Sequence, residues 1–312
     1  MRTVGWWCDG VGWAGGTPVL RWRRGGVGER RESVLAIGGA VGFRVAGVRV
    51  CGGARGNPCP VKGLLGGRGT GGLCVECARL DRLHSVAADA LADDPRVYRV
   101  YLAWFGPGLV KVGITREERG SARLLEQGAV VFSWLGRGPL MAARRAEELL
   151  RVALGVPDRI PYAEKRRVRA GLPGVAGRAD EVRRMHARAG ALAGWPESLE
   201  RIGFEAVDHG VVFGLDGLPP AGGVVRELVD GGCVAGRLVA AAGPDLHLAT
   251  VGGGSGSGGG SGSGSGGGSG GVVVLDTRLM KGWELAGVRD GEGGLTVPVL
   301  DVRVGDVQGG LF

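Results

Sequence analysis

The sequence predicts an α+β protein with a β-rich N-terminal part, a central domain of alternating strands and helices, and a β-rich C-terminal domain. Three observations carry that expectation. Short alternating apolar runs fill residues 1–50. The stretch "VYRVYLAWFGPGLVKVGIT" (97–115) reads as a hairpin, and helix and strand patterns follow it in turn. From about residue 203, short strands and glycine turns return. The composition shifts place the N-terminal part at 1–82, the central domain at 96–195 and the C-terminal domain at 203–312.

In the N-terminal part, "AVGFRVAGVRVC" (40–51) reads as a strand pair that delivers Cys51 to a turn. Cys51, Cys59, Cys74 and Cys77 follow the spacing C-x7-C-x14-C-x2-C, whereas Cys8 and Cys233 lie elsewhere. Tetrahedral Zn²⁺ needs four thiolates converging at ~2.3 Å, which a tight C-x2-C turn beside a second turn supplies. The intervening "GGARGNP" and "VKGLLGGRGTGG" are too polar and glycine-rich to fold unaided. A structural zinc site in a zinc-ribbon-like fold is therefore expected. The competing readings are a redox pair at Cys74 and Cys77, or four incidental buried thiols.

The 312 residues carry a formal charge of +8, nearly all from arginine. A basic surface favours nucleic acid, although arginine usage also follows a GC-rich genome. No stretch approaches the ~18 apolar residues of a membrane span, and the N-terminus lacks a signal peptide's apolar core. No membrane partner and a cytoplasmic location are expected, with the thiols reduced.

Within the hairpin, a three-residue loop at 106–108 sets Ala103 opposite Lys111 and Tyr101 opposite Gly113. One face then carries Val100, Leu102, Trp104, Val110, Val112 and Ile114, suited to packing on helices. The other carries Tyr101, Lys111 and Thr115, with Gly113 leaving space beside the phenol, as the floor of a cleft would. "REERGSARLLEQGA" reads as a helix with Arg123 at its middle, "VVFSWLG" as a strand, and "PLMAARRAEELLRVALG" as a longer helix. In that last helix Glu147 shares a stripe with Ala143, Leu150 and Leu154, so its carboxylate needs a cation or a metal. Glu148 sits among arginines in a solvated arrangement.

This order of strand, strand, helix, strand, helix, with its Tyr, "KVGIT", Arg and Glu, resembles the GIY-YIG nuclease superfamily over about residues 97–170. It looks most like the branch with lysine where the second motif usually begins with tyrosine. With its cysteine cluster, "EQGA" and β-rich C-terminal part, the chain also resembles a bacterial domain-of-unknown-function family (2797). By the superfamily resemblance, Tyr101 matches the first-motif tyrosine, Lys111 and Gly113 the second motif, Arg123 the catalytic arginine and Glu147 the metal-binding glutamate. The implied chemistry is phosphodiester hydrolysis with Mg²⁺ or Mn²⁺ on Glu147. Lys111 replaces a tyrosine usually assigned as general base. It can act as base only with its pKa lowered by several units, and is otherwise a phosphate-binding cation. The expected function is a nucleic-acid-binding protein acting as a metal-dependent endonuclease. The alternative is a non-catalytic adaptor or regulator that kept the fold.

Downstream, Lys165, Arg166, Arg167 and Arg169 head a basic cluster that would grip DNA or RNA through its backbone without sequence preference. The competing reading is a solvated helical face. Residues 252–271 are a Gly/Ser tract expected as a disordered loop joining neighbouring strands, since "DLHLATV" and "VVVLDTRLMKGWEL" flank it. The terminal Gln308, Leu311 and Phe312 resemble peptides that dock the replication sliding clamp. The same tail could instead fold back on the β-domain.

Overall fold

The computed structural model describes residues 5–24, 29–83, 94–250, 271–289 and 293–302. In chain order the first elements are β1 (Trp6–Ala14), β2 (Thr17–Arg24), β3 (Arg30–Val34), β4 (Ala40–Ala46) and α1 (Val75–Leu83). Next come β5 (Val97–Trp104), β6 (Val110–Arg116), α2 (Ala122–Gln127), β7 (Val131–Pro139) and α3 (Leu140–Leu154). Then follow α4 (Tyr162–Val168), α5 (Val175–Gly190), β8 (Glu200–Arg201), β9 (Val207–Asp208) and α6 (Gly210–Phe213). The last are β10 (Ala221–Val225), β11 (Cys233–Ala242), β12 (Asp245–Ala249), β13 (Val272–Asp276), β14 (Glu284–Gly287) and β15 (Val299–Asp301). The α+β class is as expected. No helix among the described residues is long and apolar enough to cross a membrane.

The described chain divides into two compact units. One draws on Met1–Gly12, Pro18–Leu80 and Pro219–Phe312, the other on Trp13–Thr17 and Asp81–Leu218. The first holds a ten-stranded sheet ordered β15-β10-β13-β12-β11-β4-β14-β1-β2-β3. Strand β4 buries Val41, Phe43 and Val45 and turns Arg44 outward, the alternation of a half-buried strand. It pairs antiparallel with both β11 and β14. Strands from 1–82 and 203–312, expected as separate parts, thus share one sheet. A strand's alternation fixes which face it buries but not which strand bonds to its edge. Only "AVGFRVA" of the expected strand pair is a strand; beyond Gly47, Val50 makes a single bridge to Leu64.

Strands β12 and β13 pair antiparallel from Asp245↔Asp276 to Ala249↔Val272, and Thr250 N donates to Gly271 O at 3.0 Å. The segments flanking the Gly/Ser tract are therefore neighbouring strands, as expected. Of the tract itself, all but Gly271 lies outside the described residues, as do Gln308, Leu311 and Phe312.

In the second unit the sheet runs β6-β5-β7-β8, with β9 also pairing to β7. The hairpin register is the expected one, Tyr101↔Gly113 and Ala103↔Lys111. Val100, Leu102, Trp104, Val110 and Val112 are buried, and Trp104 Nε1 donates to Glu181 of α5 at 2.7 Å. The opposite face is covered too: Tyr101 and Ala103 form a core with Phe105, Leu124 of α2, Phe132 and Ile160. An open cleft floor was expected there. Instead α2 covers it, with Leu124 packed into the Tyr101 core and Gln127 bonded to the Tyr101 hydroxyl.

The helix expected over "REERGSARLLEQGA" is broken. Glu117–Arg119 form a 3₁₀ turn, Gly120 takes φ +48°, and α2 starts only at Ala122. Gly128, at φ +71°, ends α2 by donating to the Leu124 and Leu125 carbonyls. Arg123 is therefore in the first turn of a short helix rather than mid-helix, and its side chain is half exposed.

Candidate functional site

The cysteine cluster is built from loops. Cys51 follows the Val50↔Leu64 bridge, and its own amide donates to Gly63 O at 2.8 Å. Between Cys51 and Cys59 the chain makes a tight turn, where Asn57 N donates to Ala54 O at 3.0 Å. Gly53 there has φ +81°, and a Cβ on it would lie 1.9 Å from Asn57 O, so only glycine fits. Cys74 immediately precedes α1 and Cys77 lies in its first turn, so a helix start replaces the expected C-x2-C turn.

All four sulfurs lie within 4.8 Å of one another, and the set could hold a metal ion. All four thiols are free of disulfides. Cys51 Sγ accepts amide hydrogen bonds from Cys74 at 3.1 Å and Gly53 at 3.4 Å. Amide donation from Gly63, helped by Val61, lowers the Cys59 thiol to about 6. Burial, with the neighbouring sulfurs, pushes Cys77 the other way. Four sulfurs this close shed their protons together only when a cation offsets the charge.

Arg49 supports this region, and sequence reasoning missed it. Its guanidinium is 1% exposed and donates to the carbonyls of Lys281 (2.8 Å), Gly66 (2.7 Å), Gly71 (3.1 Å), Arg278 (3.1 Å) and Gly69. A cage of carbonyls thus replaces a carboxylate partner and fixes the glycine-rich loop leading to Cys74. An arginine between valines in "VRV" was the available signal.

The second candidate site gathers around Lys111. This side chain is 8% exposed, its Nζ donates to Asp158 O at 3.0 Å, and Nζ lies 5.7 Å from the Tyr101 ring centroid. Burial lowers its pKa from 10.5 to about 8, and the charge of Arg123 acts in the same direction. Glu147 and Asp158 oppose that shift. Glu147 is half-buried, and its carboxyl is raised above the ordinary value by burial, with Lys111 pulling it back. It makes no ion pair among the described residues, and among those residues only the four cysteines form a group that could hold a metal ion. The phenol of Tyr101 is 2% exposed and raised by burial, and Arg123 and Glu147 both act on it. The fold therefore brings all four sequence-predicted residues into one electrostatic neighbourhood. Two members are buried, and Arg123 leans toward Glu126 at 3.8 Å.

Gln127 and Asp158 were missed as members of this site. Gln127 Nε2 donates to the Tyr101 hydroxyl at 3.0 Å, so that hydroxyl is oriented by a side chain at the end of α2. The signal was present in "EQGA", a buried amide closing an apolar helix. Glu148 pairs with Arg151 at 2.8 Å in solvent, as expected.

The basic cluster is corrected. Lys165 and Arg169 are buried at 3% and 1% exposure and form no part of an exposed basic face. Lys165 Nζ sits 3.8 Å from the Phe105 ring centroid and 4.4 Å from that of Tyr162, and donates to Gln127 O at 3.0 Å. Counting charges along α4 does not reveal which face the helix buries. Arg166 is half-buried and Arg167 exposed.

An α+β protein with a four-cysteine cluster and a buried lysine–tyrosine site is thus defined. The family model described as Protein of unknown function (DUF2797) matches residues 70–253, and the chain belongs to that family. The match spans Tyr101, Lys111, Arg123 and Glu147 but, of the cluster, only Cys74 and Cys77. Comparison with curated proteins and with solved structures gives no match.

Proposed function

We propose that this protein binds nucleic acid and cleaves phosphodiester bonds at the Lys111 site in the manner of GIY-YIG nucleases. The observation that carries this reading is the buried Lys111 amine beside the Tyr101 ring, brought down to about 8 by burial and by Arg123 and opposed by the charge of Glu147. A lysine with that pKa is substantially neutral at pH 8, which meets the condition for a base in place of the second-motif tyrosine. The order β5, β6, α2, β7, α3 supports the same reading.

In this mechanism Lys111 Nζ takes a proton from the attacking water, whose oxygen forms the new bond to phosphorus. The ester P–O bond breaks, and the departing oxygen takes a proton from solvent. Arg123 neutralises charge on the phosphate, and the Tyr101 hydroxyl, held by Gln127, orients the water. Glu147 would hold Mg²⁺ or Mn²⁺, which when bound polarises the phosphate. The test is metal-dependent cleavage of labelled DNA and RNA. Glu147→Ala and Arg123→Ala should each abolish it.

A second reading is favoured by one observation: the Tyr101 phenol is 2% exposed and already engaged by Gln127. On it the protein is a non-catalytic nucleic-acid-binding adaptor. Glu147→Ala then leaves affinity intact, while charge reversal at Arg166 and Arg167 abolishes salt-sensitive binding.

The four cysteines we assign to zinc. A tetrahedron with ~2.3 Å metal–sulfur bonds has sulfur–sulfur edges of ~3.8 Å. Cys59 Sγ and Cys74 Sγ are 3.8 Å apart. Such a thiolate centre suits a reducing compartment, the cytoplasm. Elemental analysis giving one zinc per chain would bear this out.

A further inference from the structure

At one end of the ten-stranded sheet lie β1, β2 and β3, with β3 outermost. Trp22 of β2 and Arg31 of β3 are direct cross-strand partners. The Arg31 guanidinium lies 4.2 Å from the Trp6 ring centroid and 5.7 Å from that of Trp22. Arg24 approaches Trp6 at 5.9 Å. Trp22 Nε1 donates to Ser33 Oγ at 3.0 Å, which fixes the plane of its indole. Both indoles are half-buried, and Arg31 is exposed. The Arg31 guanidinium therefore lies over both indoles.

The charges there are unbalanced. Asp9 pairs with Arg23 at 3.0 Å, Glu32 with Arg21 at 3.0 Å and Glu29 with Arg24 at 3.4 Å. Every carboxylate of the described hairpin strands is thereby used. On this face Arg31 is left with no ion pair among the described residues, while its neighbour Arg30, opposite Arg23, turns to the other face.

We propose that this face binds single-stranded nucleic acid, with bases stacked on the fixed indoles and the Arg31 guanidinium plane and phosphate charge met by Arg31. Stacking platforms beside an uncompensated guanidinium match both halves of a nucleotide, its π-face and its charge. A duplex offers the charge but hides the base faces. An acidic peptide offers the charge without flat rings. The face lies outside residues 70–253 and works whether or not the Lys111 site cleaves.

The test uses the full chain in magnesium-free buffer without chelator. Labelled twelve-nucleotide oligo(dT) and oligo(U) are titrated while anisotropy and tryptophan emission are read. Either oligomer should bind, quench the emission and lose affinity with salt, and a blunt duplex should bind roughly tenfold more weakly. Trp6→Ala and Arg31→Glu should each weaken binding about tenfold, and Arg31→Lys, which keeps the charge but loses the plane, by less. Arg31 is exposed, so its variants test the surface without threatening the fold. Wild-type binding that is absent, equal for duplex, displaced equally by polyglutamate or unchanged in Arg31→Glu would overturn the proposal. Binding lost in Arg123→Ala but not in Arg31→Glu would overturn it as well, placing the nucleotide at the Lys111 site. Lys111→Met that abolishes cleavage yet retains oligomer binding would separate the two sites.

Discussion

The cysteine cluster and the Lys111 site relate to their surroundings in opposite ways. Around the cluster, the buried residues are Cys51, Ala54, Cys59 and Cys77 themselves, with Leu73 and Cys74 packed against them. The functional atoms are the core. Beside Lys111, Tyr101 belongs to a core with Phe105, Leu124, Phe132 and Ile160 that has its own apolar contacts. There an amine is carried at a cost. Removing a functional group should therefore unfold the first region and relax the second.

The largest expected effect is at the cluster. On the zinc assignment, Cys74→Ser should release the metal and cost several kcal/mol, because ligand binding in such a loop is its folding energy. Hydrogen exchange should lose protection over residues 49–77 while β5 to β7 keep theirs. Protection unchanged in the variant would break the comparison from this side.

Next in size is Gly113→Ala. An added Cβ would lie 2.3 Å from the Tyr101 hydroxyl oxygen and 2.5 Å from its Cζ, against a buried ring with nowhere to move. A loss of about 1–3 kcal/mol in urea unfolding is expected. In a Tyr101→Leu background the same glycine substitution should cost little, which a purely backbone effect of alanine would not allow.

The pairing of Gly113 with Tyr101 was legible before any coordinates, because a two-residue period and a short loop admit one register that separates polar from apolar side chains. The cysteine set was legible from spacing alone. Other features were not. The shared sheet of β4 with β11 and β14 depends on hydrogen bonds between segments far apart in the chain, and alternation carries no partner identity. The burial of Lys165 and Arg169 was hidden because a run of cations on a short helix reads as solvated until its packed face is known. Arg49 was hidden because its partners are backbone carbonyls, which leave no mark in the sequence.

Lys111→Met sharpens the comparison from the other side. The folded pKa near 8 lies below the ordinary 10.5, so between these values the unfolded chain binds more protons. The lysine's penalty is full below pH 8 and fades as pH rises toward 10.5. Methionine should thus stabilise the protein by about 1–2 kcal/mol at pH 7, after loss of the bond to Asp158 O, with the gain vanishing near pH 10. Cleavage, if Lys111 is the base, should disappear in the same variant, and in the wild type should rise with pH through about 8. A destabilised Lys111→Met protein would mean that the amine supports its core as the cysteines do theirs.

The smallest effect is the most discriminating between the two functional readings. Tyr101→Phe removes one oxygen and leaves the Gln127 amide, 8% exposed, without its acceptor. That should cost about 1 kcal/mol, and Gln127→Leu combined with it should restore stability, since two apolar groups need no partner. The stability cycle is the same on either reading, whereas activity is not. An oxygen that orients water is needed for cleavage in both the single and the double variant. An oxygen that only satisfies Gln127 is dispensable once that amide is gone. Rescue of stability without rescue of cleavage would assign Tyr101 to chemistry. Nucleic-acid binding unaffected throughout, with no cleavage in any variant or in the wild type, would assign it to the core.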